Sequence, residues 1–317
     1  MSLENLDWNT LSRLRRHFLE GTGGKVDYWQ SNDVLDAYDQ TFGRRIGWKW
    51  DFALEQLKNR QWTPPAGSVL DWGCGSGVAG RAFLRHFGLA GVSQVGFFDR
   101  SVMAMEFAAS RAKTEFPDLK INPAACNRQA DVLLISHVIN ELSPAKIDEL
   151  VELACKATSV IWVEPGSYQA GRSLIKVRQR LLSEFNVVAP CTHNGSCLML
   201  DESNHKHWCH HFASSPAEVF MDGNWARFAK LEGIDLRSLP LSYLVLDRRP
   251  IQPLPPKTMR IIGRPRVFKG YALLFGCNES ALGDRKLAKK NLPQEYKALK
   301  SKYFDTLFRW PEQSGDI

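Results

Sequence analysis

From residue 1 to about 62 apolar side chains recur at helical spacing, first as Leu11, Leu14, Phe18 and Leu19 and later as Phe52, Leu54 and Leu57. The run Trp62-Thr63-Pro64-Pro65-Ala66-Gly67 ends that pattern. From Val69 to about Phe185 short apolar runs alternate with longer amphipathic ones. This predicts strands near 69–72, 94–98, 131–136 and 159–164, separated by helices near 78–88, 101–115, 144–156 and 169–184. Such alternation builds a parallel sheet covered by helices on both faces. Residues 186–212 read as irregular, and 241–246 as a further strand. Pro250, Pro253, Pro255 and Pro256 make a linker, followed by short strands near 258–263 and 268–276 and a basic helical tail. The expected division is a helical N-terminal region (1–62), an α/β domain with an insertion at 186–212 (63–247), and a C-terminal module (248–317). No internal repeat interrupts this order.

The strongest local motif is Val69-Leu70-Asp71-Trp72-Gly73-Cys74-Gly75-Ser76-Gly77. An apolar strand runs into an acid and then three glycines at the mouth of a helix. Glycines permit positive φ and close approach of a ligand, and the helix N-terminus offers free N–H groups. A dinucleotide fingerprint wants glycine at the sixth place of this pattern, where Val78 stands. The acid-Gly-x-Gly-x-Gly form instead resembles class I S-adenosylmethionine (SAM) methyltransferases, with a Rossmann-like sheet. A second strand, Val95-Gly96-Phe97-Phe98, ends in Asp99, where that resemblance implies a carboxylate for the ribose hydroxyls. Asp71, Gly73, Gly75, Gly77, Asp99 and His137 are therefore the candidate SAM-binding residues. Catalysis is less legible. The strand near 131–136 ends in Ser136-His137-Val138-Ile139-Asn140-Glu141-Leu142, without the Asp/Asn-Pro-Pro-aromatic motif that amino-directed enzymes carry at such a strand end. His137, and Glu164 of Glu164-Pro165-Gly166, are candidates for proton handling, with strand capping and chain turning as their bland readings. Cys191, which follows Pro190, is a weaker candidate nucleophile.

Composition narrows the class. The chain has 317 residues, 44% hydrophobic and 24% charged, which excludes a wholly disordered protein. Its formal charge of +7 is an average over unlike parts. Residues 248–317 carry 15 Lys plus Arg against 6 Asp plus Glu, whereas residues 1–247 carry 26 against 28. Arg260, Arg264, Arg266, Lys269, Lys286, Lys289 and Lys290, interleaved with aromatic residues, make this module the candidate RNA-binding surface; a solvated charged face is the alternative. No run approaches a membrane span, since the best one, 130–139, contains Asp131 and His137. The first residues have no apolar core of a signal peptide, and Glu4, Asp7 and Glu20 argue against a transit peptide. A reducing cytoplasm and a monomer are expected.

Seven cysteines are too sparse for a disulfide scaffold. Cys74, Cys126 and Cys155 read as small or buried fillers. Cys191, Cys197, Cys209 and Cys277 remain, the first three within 19 residues, and five of the eight His lie between 193 and 211. A loop so poor in apolar residues is expected to lean on a metal. Zinc and a four-iron cluster compete for it on spacing alone.

The constellation Ala189-Pro190-Cys191-Thr192-His193 through Cys197, then Trp208-Cys209-His210, resembles one methyltransferase-like family. It is the Rsm-type family of the mitochondrial small ribosomal subunit, methyltransferase-like protein 17 in animals, with bacterial relatives. The likeness extends over Val163-Glu164-Pro165-Gly166, Leu241-Ser242-Tyr243-Leu244, Arg264-Pro265, Lys269-Gly270, Cys277, Tyr296-Lys297 and Trp310. Thr192 and Leu198 stand where prolines are usual. The resemblance implies a SAM-binding fold acting on the small ribosomal subunit and its rRNA, in assembly or translation. It also implies an iron–sulfur cluster on Cys191, Cys197, Cys209 and Cys277, and a mitochondrial matrix location in a eukaryote. Three roles stay open at this stage: a binding factor, an active rRNA methyltransferase, or a methyltransferase for a non-RNA substrate.

Overall fold

The computed structural model describes residues 6–20, 28–122, 129–301 and 304–310. Cys126 and the basic-tail residues Lys302 and Tyr303 lie outside them. The main sheet contains β1 (Gly67–Trp72), β2 (Val92–Phe98), β3 (Val132–Ser136), β4 (Ser159–Pro165), β5 (Asn186–Ala189), β6 (His211–Ala213) and β7 (Leu239–Asp247). Their order is β2-β1-β3-β4-β7-β5, with β6 paired to β7. β2, β1, β3 and β4 run parallel, and β7 lies antiparallel between β4 and β5. That reversed strand separates the sheet from an all-parallel dinucleotide-binding one and is the class I methyltransferase arrangement.

The strands bury both faces. Leu134, Ile161 and Val245 join one apolar cluster, while Leu133, Ile135 and Trp162 join another on the opposite side. This is why the strands read as continuous apolar runs rather than as alternation. Helices α4 (Val78–Phe87), α5 (Val102–Glu115), α6 (Pro144–Ala154) and α7 (Tyr168–Leu181) follow the strands. Ser101, Ser143 and Ser167 cap the last three by accepting the N–H of Ala104, Lys146 and Ala170. The N-terminal helices are α1 (Trp8–Glu20), α2 (Asn32–Tyr38) and α3 (Arg44–Asn59). Trp50, Leu54 and Leu57 of α3 belong to the same cluster as Phe83, Val95 and Leu134, so α3 is part of the sheet's core. Helix α8 (Gly223–Glu232) closes on α1 through Trp225, Phe228 and Leu11.

A second, antiparallel sheet holds β8 (Thr258–Ile261), β9 (Arg266–Val267), β10 (Tyr271–Cys277), β11 (Leu282–Ala288) and β12 (Leu307–Arg309), in the order β11-β10-β8-β12. Two expectations need correction here. The basic tail opens on a strand rather than a helix: Lys286 lies on β11, and among the described residues helix α9 covers only Pro293–Ala298. Pairing of Leu287 with Ala272 buries both side chains completely, and this cross-strand gain overrides the helical tendency of a Lys-rich stretch. Likewise 186–189 is not irregular, because Val187 and Ala189 pair with β7 and are buried. Among the described residues no helix is long and apolar enough to cross a membrane.

Candidate functional site

The glycine turn joins β1 to α4. Gly73, Gly75 and Gly77 have φ of 69°, 50° and 77°, a region that disfavours any side chain. A Cβ on Gly73 would stand 2.6 Å from Val138 Cγ1, and one on Gly77 2.8 Å from Ala108 Cβ. Gly75 N–H donates to Asp99 Oδ2 at 3.0 Å, and Ser101 N–H to Oδ1 at 3.1 Å. The partly buried Asp99 carboxylate is thus held at the end of β2. Asp71 plays a different part from the ligand contact expected of it. Its side chain is fully buried, Oδ2 accepts Gly80 N–H at 2.7 Å, and Oδ1 has no partner. Asp71 ties the first turn of α4 to the strand end. Burial, reinforced by the charge of Asp99, pushes its carboxyl up to about 7 against the pull of the Gly80 N–H and Arg81. Trp29, from the segment before α2, lies over Gly75, its ring 3.5 Å from where a Cβ would be.

At the ends of β3 and β4 stands a polar group the sequence only half revealed. His137 has φ 57°, and its Nε2 is 3.1 Å from Lys49 Nζ on α3. Its Nδ1 is 3.3 Å from Ser136 Oγ, which accepts Trp50 Nε1–H at 2.9 Å. Burial, then the Lys49 charge, holds the imidazole neutral, well below its ordinary value. Burial, then Arg45, draws the Lys49 ammonium down to about 7. Glu164 is fully buried; its Oε1 accepts Val138 N–H and Ile139 N–H, each at 3.1 Å, and Trp162 Nε1–H at 2.6 Å. It therefore fixes the turn that carries His137, while Oε2 has no partner. Burial lifts Glu164 and Glu141 alike to about 7. A separate cavity of about 270 Å³, lined by Asp39, Arg44, Trp48 and Arg81 among others, touches none of these strand-end groups.

The four remaining cysteines come from three places in the chain and line one cavity with Arg178 and Tyr243. All four are free thiols. Among the described residues no group of three or more Cys, His, Asp or Glu side chains is arranged to hold a metal ion. Burial, then the neighbouring thiols, pushes Cys197, Cys209 and Cys277 above the ordinary thiol value. The loop leans on protein more than its composition suggests. Arg172 donates to Met199 O, Arg178 Nη2 to His193 O and Gly195 O at 3.1 and 2.9 Å, and Arg260 Nε to Pro190 O at 2.6 Å. Ser242 Oγ donates to Cys209 O at 2.7 Å. Ile175 of α7, Met199 of the loop and Ile262 beyond β8 share one small core, so the loop joins the two sheets.

On the C-terminal module Arg264, Arg266, Lys269, Lys286, Lys289 and Lys290 are exposed. Phe268 and Tyr271 stack with centroids 4.8 Å apart, and Lys286 Nζ lies 5.1 Å above Tyr271. Arg266 is paired with Asp284. Arg260 is the exception among the nominated RNA contacts. It is 2% exposed and turned inward, because its guanidinium bonds Pro190 O, Gln56 Oε1 and Thr306 Oγ1; it cannot reach a phosphate.

The family model described as "Mitochondrial small ribosomal subunit Rsm22" matches residues 52–309, spanning both sheets and all four clustered cysteines. The chain belongs to the Rsm22 family. No curated protein matches it. Among solved structures it is similar to the plantazolicin methyltransferase BamL with SAH bound, at 13% identity over 77% of this chain and 100% of that one, TM-score 0.40. It is also similar to the plantazolicin methyltransferase BpumL, at 13% identity, 76% and 99% coverage and TM-score 0.41. An S-adenosylmethionine-dependent methyltransferase from Clostridium acetobutylicum matches 45% of this chain and 61% of its own, at 14% identity and TM-score 0.32.

In this Rsm22-family chain, Lys49, Trp29, Arg178 and Tyr243 are the site residues that sequence reading missed. Lys49 carries a faint signal, since a lysine between Trp48 and Trp50 on a core helix is unusual. Arg178 sits on the apolar face of α7, a buried position for a charge. Tyr243 carries only its place in the family-like run Leu241-Ser242-Tyr243-Leu244, and Trp29 none beyond being aromatic.

Proposed function

We propose that the chain is a SAM-binding factor of the small ribosomal subunit that carries an iron–sulfur cluster on Cys191, Cys197, Cys209 and Cys277 and meets rRNA through its C-terminal module. The observation that carries this reading is the meeting of four thiols, up to 86 residues apart in the chain, in one cavity at the junction of the two sheets. Membership of a family described by the mitochondrial small ribosomal subunit supports the partner. The glycine turn and Asp99 support SAM, because the turn leaves N–H groups and backbone surface where side chains would intrude. Exposed lysines beside the Phe268–Tyr271 stack support RNA, offering phosphate neutralisation and a face for bases together. A cluster would supply a rigid link between the loop and β10. The setting is a bacterial cytoplasm or, in a eukaryote, the mitochondrial matrix.

The test is anaerobic purification of the full chain with iron, sulfide and zinc analysis and a visible spectrum. Iron and sulfide in equal amounts with a brown colour are expected, and Cys277→Ser is expected to lose both and to lower the melting temperature. A colourless wild-type chain with one zinc overturns the cluster while leaving the SAM reading standing. Calorimetric titration with SAM, with Asp99→Ala as the weakened control, tests that part separately.

Active RNA methylation is the second reading, favoured by Lys49 beside His137 at the strand ends. Transfer from a sulfonium requires chiefly alignment, and a lysine titrating near 7 could take the acceptor's proton. Labelled SAM with small-subunit particles decides it: label in RNA that disappears in Lys49→Met supports catalysis, and SAM binding without label supports the binding factor.

A further inference from the structure

Two guanidiniums lie in the interior without an ion pair. Arg178 and Arg260 are each 2% exposed, and among the described residues neither forms an ion pair within 4.0 Å. A buried unpaired ion is strongly unfavourable, and arginine does not shed its proton to escape. Backbone carbonyls and neutral side chains satisfy only some donors. Arg260 uses Nε on Pro190 O and Nη1 on Gln56 Oε1 and Thr306 Oγ1, at 2.6, 2.9 and 2.5 Å. Its Nη2 has no partner, nor have Nε and Nη1 of Arg178.

Both arginines adjoin the thiols. Arg178 lines their cavity. Arg260 is the cross-strand partner of Cys277 on β8 and β10, so the two side chains leave the sheet on one face. Its bond to Pro190 O sets it beside Cys191 as well. Other orphans belong to residues beside or between the cysteines. Of thirteen buried side-chain nitrogen and oxygen atoms without a partner among the described residues, seven belong to Arg178, Arg260, Thr192, His193, His211 and Tyr243. His211 Nε2 lies 3.7 Å from Cys209 Sγ, and Tyr243 lines the cavity. Orphaned donors on Arg178 in the cavity and on Arg260 and His211 beside it, next to four thiols, suit an anion that accepts hydrogen bonds.

We propose that Arg178 and Arg260 are the counter-charges of the group held by the four thiolates, neutralising it and donating hydrogen bonds to its sulfur atoms. The inference rests on the thiolate-bound group proposed above and concerns its charge. Four thiolates around a metal group of smaller positive charge leave a net negative charge, whether the group is a cluster or a zinc ion. Two guanidiniums offset it, and each buried ion then has the partner it lacks among the protein's own carboxylates. Arg260 thereby belongs to the interior chemistry of the module, and its conservative replacement is lysine rather than an apolar residue.

The experiment uses the full chain, purified anaerobically, as wild type, Arg178→Met, Arg260→Met, Arg178→Lys and Arg260→Lys. Metal and sulfide content, the rate of metal loss to a chelator, and melting of loaded and metal-stripped protein are measured. The methionine variants are expected to lose metal at least tenfold faster, and the lysine variants to recover most of that. Stripped methionine variants are expected to melt at or above stripped wild type, because an unpaired buried charge has gone. Wild-type rates of metal loss in the methionine variants overturn the proposal. So does an equal drop in melting of loaded and stripped forms, which marks the arginines as props for Pro190 and His193 alone. A wild-type chain that contains no metal overturns the cluster reading and this inference with it, and is told apart by the wild-type analysis.

Discussion

Replacing Asp71 by Asn tests whether the acid of the glycine turn is held neutral. In the folded chain its carboxyl titrates at about 7 against an ordinary 3.8, because burial disfavours the charge. A shift of about 3 pH units is on the order of 4 kcal/mol. The folded value is raised, so the penalty is nearly complete at pH 8, diminishes as pH falls through 7, and vanishes below about 4. At pH 5 roughly 1.5 kcal/mol of it remains, by the same linkage. Asparagine keeps an oxygen for Gly80 N–H but puts an amide where the unpartnered Oδ1 lies, which costs about 1–3 kcal/mol. Asp71→Asn is therefore expected to stabilise the SAM-free chain by about 1–3 kcal/mol at pH 8 and to be neutral or slightly destabilising at pH 5. Urea unfolding followed by tryptophan fluorescence from pH 5 to 8 reads the difference. An equal loss at every pH would refute the reasoning, since it would mean an ionised carboxylate whose charge the turn requires.

Other outcomes follow from the same geometry. Gly77→Ala, at φ 77° with Ala108 Cβ 2.8 Å away, is expected to lose about 3 kcal/mol from left-handed strain plus overpacking and to weaken SAM binding. Gly233→Ala, at φ 58° with nothing within 4 Å, is expected to lose only about 1 kcal/mol; equal losses in urea unfolding would discount the steric argument. Joint replacement of Lys269, Lys289 and Lys290 by Ala is expected to reduce the slope of log affinity against log salt for rRNA by about 2. Arg260→Met is expected to leave that slope unchanged, because the side chain is buried; a fall in slope would return Arg260 to the RNA surface.

Much of the body was legible because its signals are local. The helix and strand periods of the body and the glycines of the turn act within a few residues of where they stand, and the structure keeps them. The basic module was legible as charge and in the strands that became β8 and β10, but not in β11, which forms only when Leu287 meets Ala272 of another strand. Side-chain roles were the least legible. Glu164 was read as a candidate for chemistry and proves to anchor the turn that carries His137.

The sequence by itself determined the parallel sheet, the glycine turn and which four cysteines to suspect, because hydrophobic period, glycine and cysteine count are properties of the chain as written. Only the tertiary structure decided that Lys49 meets His137, 88 residues away, and that Arg260 reaches Pro190 and Gln56 across 70 and 204 residues. A charged side chain reads the same in sequence whether it faces water or the interior. Its environment is set by partners that folding brings from afar, and that environment decides whether an arginine binds a phosphate or adjoins a cavity of thiols.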